Sequence, residues 1–211
     1  MQDFRSANVF IPGYLKLVGD AVNESAILGY VDTVMSRAKI ANVGIIVLGS
    51  GEARKIPQGY DSVAASKQFI NIARKMAEIA AKYKRVIAIE NLNHTETNFV
   101  LSLKEAIRIV KAVDHPSFRL TADIYHMLME NESAEPILDA KNLLVNVHIA
   151  EKQDRAYPGK NGTDFRPYFK AMKKIGYQGG IMIECRWTDM AEELPKSVQY
   201  LREQLVESYK D

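Results

Sequence analysis

Short runs of apolar and β-branched residues recur along the chain at Ala7–Ile11, Gly44–Leu48, Val86–Ile89, Arg119–Ala122, Leu144–Ile149 and Ile181–Ile183. They lack the alternation of a half-exposed strand and are too short for buried helices, so they read as strands covered on both faces, the kind found in parallel sheets. Between them the period changes. Ile27, Val31, Val34, Met35 and Ala38 recur at helical spacing, as do Phe69, Ala73, Met76, Ile79, Ala80 and Tyr83. Ser102-Leu103-Lys104-Glu105 has the form of a capping box and opens a helix through Ile107, Val110 and Val113, with Pro116 beyond its end. Phe165, Phe169 and Met172 mark a further helix, and Val198, Leu201 and Leu205 the last.

Strand and helix alternate without a low-complexity linker, which predicts an α/β fold of βα units in one domain over residues 1–211. A doubly wound open sheet carries a Gly-rich turn after its first strand, and Phe10-Ile11-Pro12-Gly13-Tyr14 is not one. A TIM (β/α) barrel instead collects functional groups at the carboxyl ends of several strands, and this chain has them. About six strands are visible in 211 residues, where a closed barrel has eight in roughly 250. The expectation is therefore an incomplete TIM (β/α) barrel.

Composition narrows the function classes. A chain 47% hydrophobic and 26% charged is neither disordered, nor fibrous, nor a disulfide scaffold. Lys+Arg 28 against Asp+Glu 26, with no block of like charge, gives no reason to expect a nucleic-acid or acidic-lipid partner. Cys185 is the lone cysteine and Met1-Gln2-Asp3-Phe4-Arg5 is no apolar leader, so a reducing cytoplasmic setting is expected. No run approaches the ~18 apolar residues of a membrane span.

The chemistry sits where the strands stop. Val86–Ile89 is followed by Glu90, Leu120-Thr121-Ala122 by Asp123, Val145-Asn146-Val147 by His148, and Ile181–Ile183 by Glu184. One acidic residue at a strand end is ordinarily a helix cap or a solvated charge. Three carboxylates and an imidazole on four successive strands form an oxygen-rich ligand set for one divalent ion, Mn²⁺, Mg²⁺, Co²⁺ or Zn²⁺. Without a cation such carboxylates would drive at least one pKa upward. Glu96, His126 and Arg155 follow in the loops, where substrate hydroxyls and carbonyls are held, although Glu96 or Arg155 could equally form a surface ion pair. Gly49-Ser50-Gly51 with Arg54 and Lys55 offers a weak phosphate-cradle signal. His94 and His115 read as structural or exposed, and Cys185 as a packed thiol.

The segments Glu90-Asn91-Leu92-Asn93-His94-Thr95-Glu96, Asp123-Ile124-Tyr125-His126-Met127, His148-Ile149-Ala150-Glu151 with Arg155 and Pro158-Gly159, and Ile183-Glu184 resemble the sugar isomerase/epimerase family of xylose isomerase-like TIM barrels. They are most like its D-tagatose/D-psicose 3-epimerase type. The resemblance implies a metal held by Glu90, Asp123, His148 and Glu184. It also implies that Glu90 and Glu184 act as the catalytic acid/base pair, and that Glu96, His126 and Arg155 bind the sugar. Arg155 stands seven residues after His148 where six is usual in the epimerases, and such barrels carry two more βα units before the strand placed at Ala7–Ile11. The chain lacks about two N-terminal βα units of such a barrel, and the expectation is either a late-starting or truncated product or a homo-oligomer that covers the gap. The implied reaction is proton transfer through an ene-diolate of a keto-sugar or sugar phosphate. Two other readings are an endonuclease IV-like zinc phosphodiesterase, which needs a histidine-rich three-zinc cluster and a basic stripe that this chain lacks, and a non-catalytic sugar-binding remnant of a truncated barrel.

Overall fold

The computed structural model describes residues 4–210. In chain order it contains β1 (Ser6–Ala7), α1 (Glu24–Ile40), β2 (Ile45–Leu48), α2 (Gly51–Arg54), α3 (Ser62–Lys82), β3 (Val86–Glu90), α4 (Leu103–Val113), β4 (Phe118–Asp123), α5 (Ile124–Met129), α6 (Pro136–Asp139), β5 (Leu144–Ile149), a 3₁₀ turn (Gln153–Arg155), α7 (Arg166–Lys174), β6 (Gly180–Ile183) and α8 (Met190–Ser208).

The six strands are parallel and lie in sequence order, β1-β2-β3-β4-β5-β6. A doubly wound sheet reverses its order at a switch point, whereas a barrel adds each new strand on the same side, so this order is that of a TIM barrel wall. Among the described residues β1 pairs only with β2 and β6 only with β5, which leaves a partial barrel. Every β6 side chain is only partly buried, unlike those of β3 to β5, because β6 has a neighbour on one side alone.

The helices bury the stripes that the periodicity marks. α1 turns Ile27, Val31 and Met35 inward, α3 turns Phe69, Ala73, Met76, Ala77 and Ala80, and α4 turns Leu103, Ala106, Ile107, Val110 and Val113 against the strands. Each large apolar side chain removed from water stabilises the fold by about 1.5–3 kcal/mol, and truncating fully buried Met76 to Ala would cost ~2–5 kcal/mol. Helix starts are closed by side chains: Asn23, Asp61 and Asp189 each accept from backbone amides of the first turn. At α4 the Ser102 hydroxyl accepts from the Glu105 amide at 3.1 Å, and the Glu105 carboxylate reaches back to the Leu101 amide at 2.7 Å. The second arm of the capping box therefore grips one residue earlier than its usual target.

The strand expected at Ala7–Ile11 is corrected to Ser6–Ala7. Val9 adopts a left-handed backbone (φ 57°) that breaks the extended run, and the Ile11 amide donates to Ser50 Oγ at 2.9 Å, not to a ladder. Phe10 and Ile11 are buried, which is why they read as strand in the sequence. Among the described residues no helix is long and apolar enough to cross a membrane.

Candidate metal centre

Parallel strands bring all their carboxyl ends to one end of the sheet. Glu90 closes β3, Asp123 closes β4, His148 is paired with Asp123 across the β4/β5 ladder, and Glu184 is the first residue beyond β6. One ligand atom from each side chain lies within 4.8 Å of all the others. His148 Nδ1 stands at the middle, 2.6 Å from Glu90 Oε1, 3.0 Å from Glu184 Oε2 and 3.8 Å from Asp123 Oδ2. Asp123 has a second role, because its Oδ1 caps α5 by accepting from the His126 amide at 3.1 Å. Its Oδ2 is buried with no hydrogen-bond partner.

The electrostatics follow from that crowding. Burial drives the Asp123 pKa well above the carboxylate range, Glu90 and Glu184 add to it, and His148 and the α5 cap oppose it. For His148 burial pulls downward, but the Glu184 and Glu90 carboxylates outweigh it and raise the imidazole to about 10. Glu184 is pushed up by burial and held at about 2 by His148, Arg155 and Asn8, whose Nδ2 donates to Glu184 Oε1 at 2.8 Å. The ion-free cluster thus favours a proton on His148 and makes the Asp123 carboxyl harder to ionise than a free one. Around a divalent ion with ligand bonds of about 2.0–2.6 Å, donor atoms lie up to roughly 4–5 Å apart. The convergence of three carboxylates and one imidazole, the orphaned Asp123 Oδ2, and the space beside Glu90 where Gly49 has no side chain all fit such an ion.

Arg155, His126 and Glu96 border the cluster. Arg155 sits in the 3₁₀ turn, where it and Asp154 take successive left-handed conformations (φ 50° and 60°). Its guanidinium lies 3.0 Å from Glu184 Oε2, 3.4 Å from Glu96 Oε1 and 4.6 Å over the Tyr125 ring. Burial would lower the Arg155 pKa, but Asp123, Glu184, Glu96 and Glu90 outweigh it and raise it. His126 Nε2 lies 3.7 Å from Asp123 Oδ2. Burial holds the His126 imidazole at about 3, with the Arg155 charge acting in the same direction, so it is neutral. Burial raises the Glu96 carboxyl.

The turn at Gly49-Ser50-Gly51 is not a phosphate cradle. A Cβ at Gly49 would collide with Glu90 Oε2, and one at Gly51 would lie 2.8 Å from the Glu96 carbonyl, so both glycines serve close approach of the β3 loop. Arg54 is fully buried and donates to the carbonyls of Glu90 (2.8 Å) and Leu48 (3.4 Å). His94 pairs with Glu130 at the surface, and His115 accepts from the Ser117 amide. Cys185 is half-buried, and burial pushes its thiol up to about 11.

Residues 14–204 match the family described as xylose isomerase-like TIM barrel. The chain belongs to that family. Among curated relatives, it is 27% identical to the 3-dehydro-D-guloside 4-epimerase of Escherichia coli (strain K12) over 201 residues, 90% of this chain and 76% of that protein. It is 32% identical to the ketose 3-epimerase of Arthrobacter globiformis over 111 residues, 52% of this chain and 38% of that one. It is 36% identical to the L-ribulose 3-epimerase of Methylomonas sp. (strain DH-1) over 112 residues, 53% and 39%. The match thus spans about two fifths of the length of two of these relatives. All three are named as epimerases, enzymes of the isomerase class. The D-allulose 3-epimerase of Methylomonas sp. has the same fold, with TM-score 0.82 at 21% identity over 94% of this chain and 76% of that one. So has the IOLI protein solved with a zinc atom, with TM-score 0.80 at 17% identity over 99% and 78%.

In this xylose isomerase-like barrel several residues near the centre escape a reading of strand ends. Asn8 ends β1 much as the ligands end theirs, but a misplaced strand hides it. Asn146 lies two residues before His148 on the same face of β5, and its side chain is 2.9 Å from His148 Nε2. The strand period of two is the signal that finds it. Arg54 has no such signal, since a buried arginine looks like any basic residue of a short helix.

Proposed function

We propose that this chain is a divalent-metal-dependent sugar epimerase or isomerase acting on a keto-sugar by proton transfer through an ene-diolate. The observation that carries the reading is the convergence of Glu90, Asp123, His148 and Glu184 at the carboxyl ends of four adjacent strands, in a chain whose relatives are named as epimerases.

Glu90, Asp123, His148 and Glu184 would hold one divalent ion, Mn²⁺, Mg²⁺, Co²⁺ or Zn²⁺. Bound there, the ion supplies positive charge to the oxygens on which the ene-diolate charge develops. Proton movement falls to the chain's own carboxylates. A C–H beside a ketone is too weakly acidic to ionise unaided, so Glu184 or Glu90 removes the proton at one face while the other returns one. Return to the opposite face of the same carbon epimerises, and return to the neighbouring carbon isomerises an aldose and a ketose. Arg155 orients the reacting end of the substrate, His126 offers a hydrogen bond to its carbonyl region, and Glu96 accepts from a hydroxyl. In this reading the chain is one domain, works in the cytoplasm on a small sugar, and pairs with a second copy along its open side.

The test is deuterium exchange. The protein, loaded in turn with Mn²⁺, Co²⁺, Mg²⁺ and Zn²⁺, is incubated in D₂O with a panel of ketohexoses and ketopentoses, and deuterium at the carbon beside the ketone is followed by NMR. Wild-type protein should incorporate deuterium and Glu184→Gln should not. Exchange retained by Glu184→Gln sinks the acid/base assignment, and none by wild type with any sugar sinks the activity.

A further inference from the structure

A buried amide next to His126 has no assigned task. Asn93 is fully buried in the loop after β3, three residues beyond Glu90. Its Oδ1 accepts from the Thr95 backbone amide at 2.9 Å and from the Thr95 hydroxyl at 2.5 Å, an Asx turn. A backbone N–H can only donate, so the oxygen end of the amide must face Thr95. The NH₂ end is then the one 2.8 Å from His126 Nδ1. An NH₂ group also only donates, so Nδ1 must present its lone pair, and the proton of the neutral ring is left on Nε2. That nitrogen is the one facing the centre, 3.7 Å from Asp123 Oδ2, and among the described residues it makes no hydrogen bond.

We infer that Asn93 is a positioning residue: through the Thr95–Asn93–His126 chain it fixes the His126 proton on Nε2, making the imidazole a permanent donor aimed at the substrate's carbonyl oxygen. The opposite tautomer would turn a lone pair toward that oxygen. The sequence builds the device compactly, because one Asx turn sets the amide and one turn of α5 from its Asp123 cap sets the ring. The catalytic consequence rests on the sugar-isomerase reading above. The tautomer itself does not.

The experiment separates the two. The chain has four histidines, so protein labelled with ¹⁵N in its imidazoles gives few signals, and single histidine variants assign them. Two-bond ¹H–¹⁵N correlation of metal-loaded and metal-free wild type reads the His126 tautomer directly. The expected result is a proton on Nε2 with Nδ1 unprotonated, and a proton on Nδ1 in wild type overturns the inference with no variant needed. Asn93→Asp keeps the shape and the Thr95 acceptor but turns an oxygen toward Nδ1. The His126 Nδ1 signal should move to the protonated position, and an unmoved signal overturns the role of Asn93. If the reaction is the one proposed, kcat of Asn93→Asp falls on the order of 10²–10³-fold, as when one preorganised donor is removed, while KM changes little. A wild-type kcat in a variant whose tautomer has switched overturns the donor role. Absence of deuterium exchange in wild type, with the Nε2 proton observed, refutes the activity and leaves the tautomer standing.

Discussion

Glu151→Gln tests how the loop that carries Arg155 is held. Glu151 is fully buried, yet among the described residues it forms no ion pair; its carboxylate accepts from three backbone amides of the loop it precedes. Gly159 and Thr163 donate to Oε1 at 2.8 and 3.3 Å, and Asn161 donates to Oε2 at 2.7 Å. The Glu151 amide in turn donates to the Ala156 carbonyl at 2.9 Å, closing the ring of residues that contains Arg155. Glutamine keeps the shape and one acceptor oxygen, so the Gly159 and Thr163 bonds survive as weaker neutral ones. At the other end an NH₂ group meets the Asn161 N–H, donor against donor. A hydrogen bond to a charged group is worth about 1.5–3 kcal/mol and a stranded buried N–H costs about 1–3 kcal/mol, two overlapping views of one loss, so the substitution should destabilise by roughly 3 kcal/mol. In a chain of this size that lowers Tm by roughly 6–12 °C. Urea unfolding and calorimetry measure the loss, and amide hydrogen exchange should quicken at residues 159–163 before it quickens in β5. A Tm within about 2 °C of wild type, or unchanged exchange in that segment, refutes the clamp.

Two further outcomes concern the metal centre. In the ion-free protein His148 holds a proton up to a pH of about 10, and an incoming ion must displace it, so Mn²⁺ affinity should rise with pH through the neutral range and level off above about 10. Titration calorimetry in buffers of different ionisation enthalpy should show proton release on binding at neutral pH, and a pH-independent affinity with no release contradicts the ligand role of His148. At Gly49→Ala the new methyl would collide with Glu90 Oε2, so Mn²⁺ affinity should fall about 10–100-fold, the range seen when a ligand's supporting contact is lost. Unchanged affinity removes the argument that Gly49 makes room for Glu90.

Much of the fold was legible because the strands of a parallel wall are covered on both faces and read as unbroken apolar runs. Leu144–Ile149 has the same bounds in sequence and structure, the runs at Gly44–Leu48, Val86–Ile89 and Ile181–Ile183 differ from the observed strands by one residue at one end, and Arg119–Ala122 falls one residue short at both ends. Ala7–Ile11 misled because burial, not extension, made it apolar, and a left-handed Val9 is a backbone state that the residue type disfavours. The phosphate reading of Gly49-Ser50-Gly51 and Arg54 erred for a related reason. Glycines mark close approach of something, but only the fold says that the something is Glu90. Asn8 and the carbonyl-binding role of Arg54 stayed hidden because one acts on a partner far away in sequence and the other on bare carbonyls, and Asn146 because it meets His148 only through the two-residue strand period.

The four ligands converge through register more than through their loops. Asp123 and His148 are Cα partners across β4/β5, with Thr121 and Asn146 paired directly behind them in the same rows. Because side chains two residues apart share a face, each ligand pair stands on a second pair inside the barrel, and here that pair is polar: Asn146 meets His148 Nε2 at 2.9 Å and Thr121 Oγ1 at 3.5 Å. A one-residue slip of β5 would turn His148 away from the centre and bring Val147 or Ile149 inward, removing the only imidazole of the set. The ladders of β3 to β6 therefore decide which atoms meet, and the front of the sheet decides the shape of the space they meet in. Gly49 leaves room for the Glu90 carboxylate, Arg54 fixes the Glu90 carbonyl, and Asn8 holds Glu184 from the far side of the wall. This division explains why four strand-end residues announce a metal centre in the bare sequence while the residues that shape it do not.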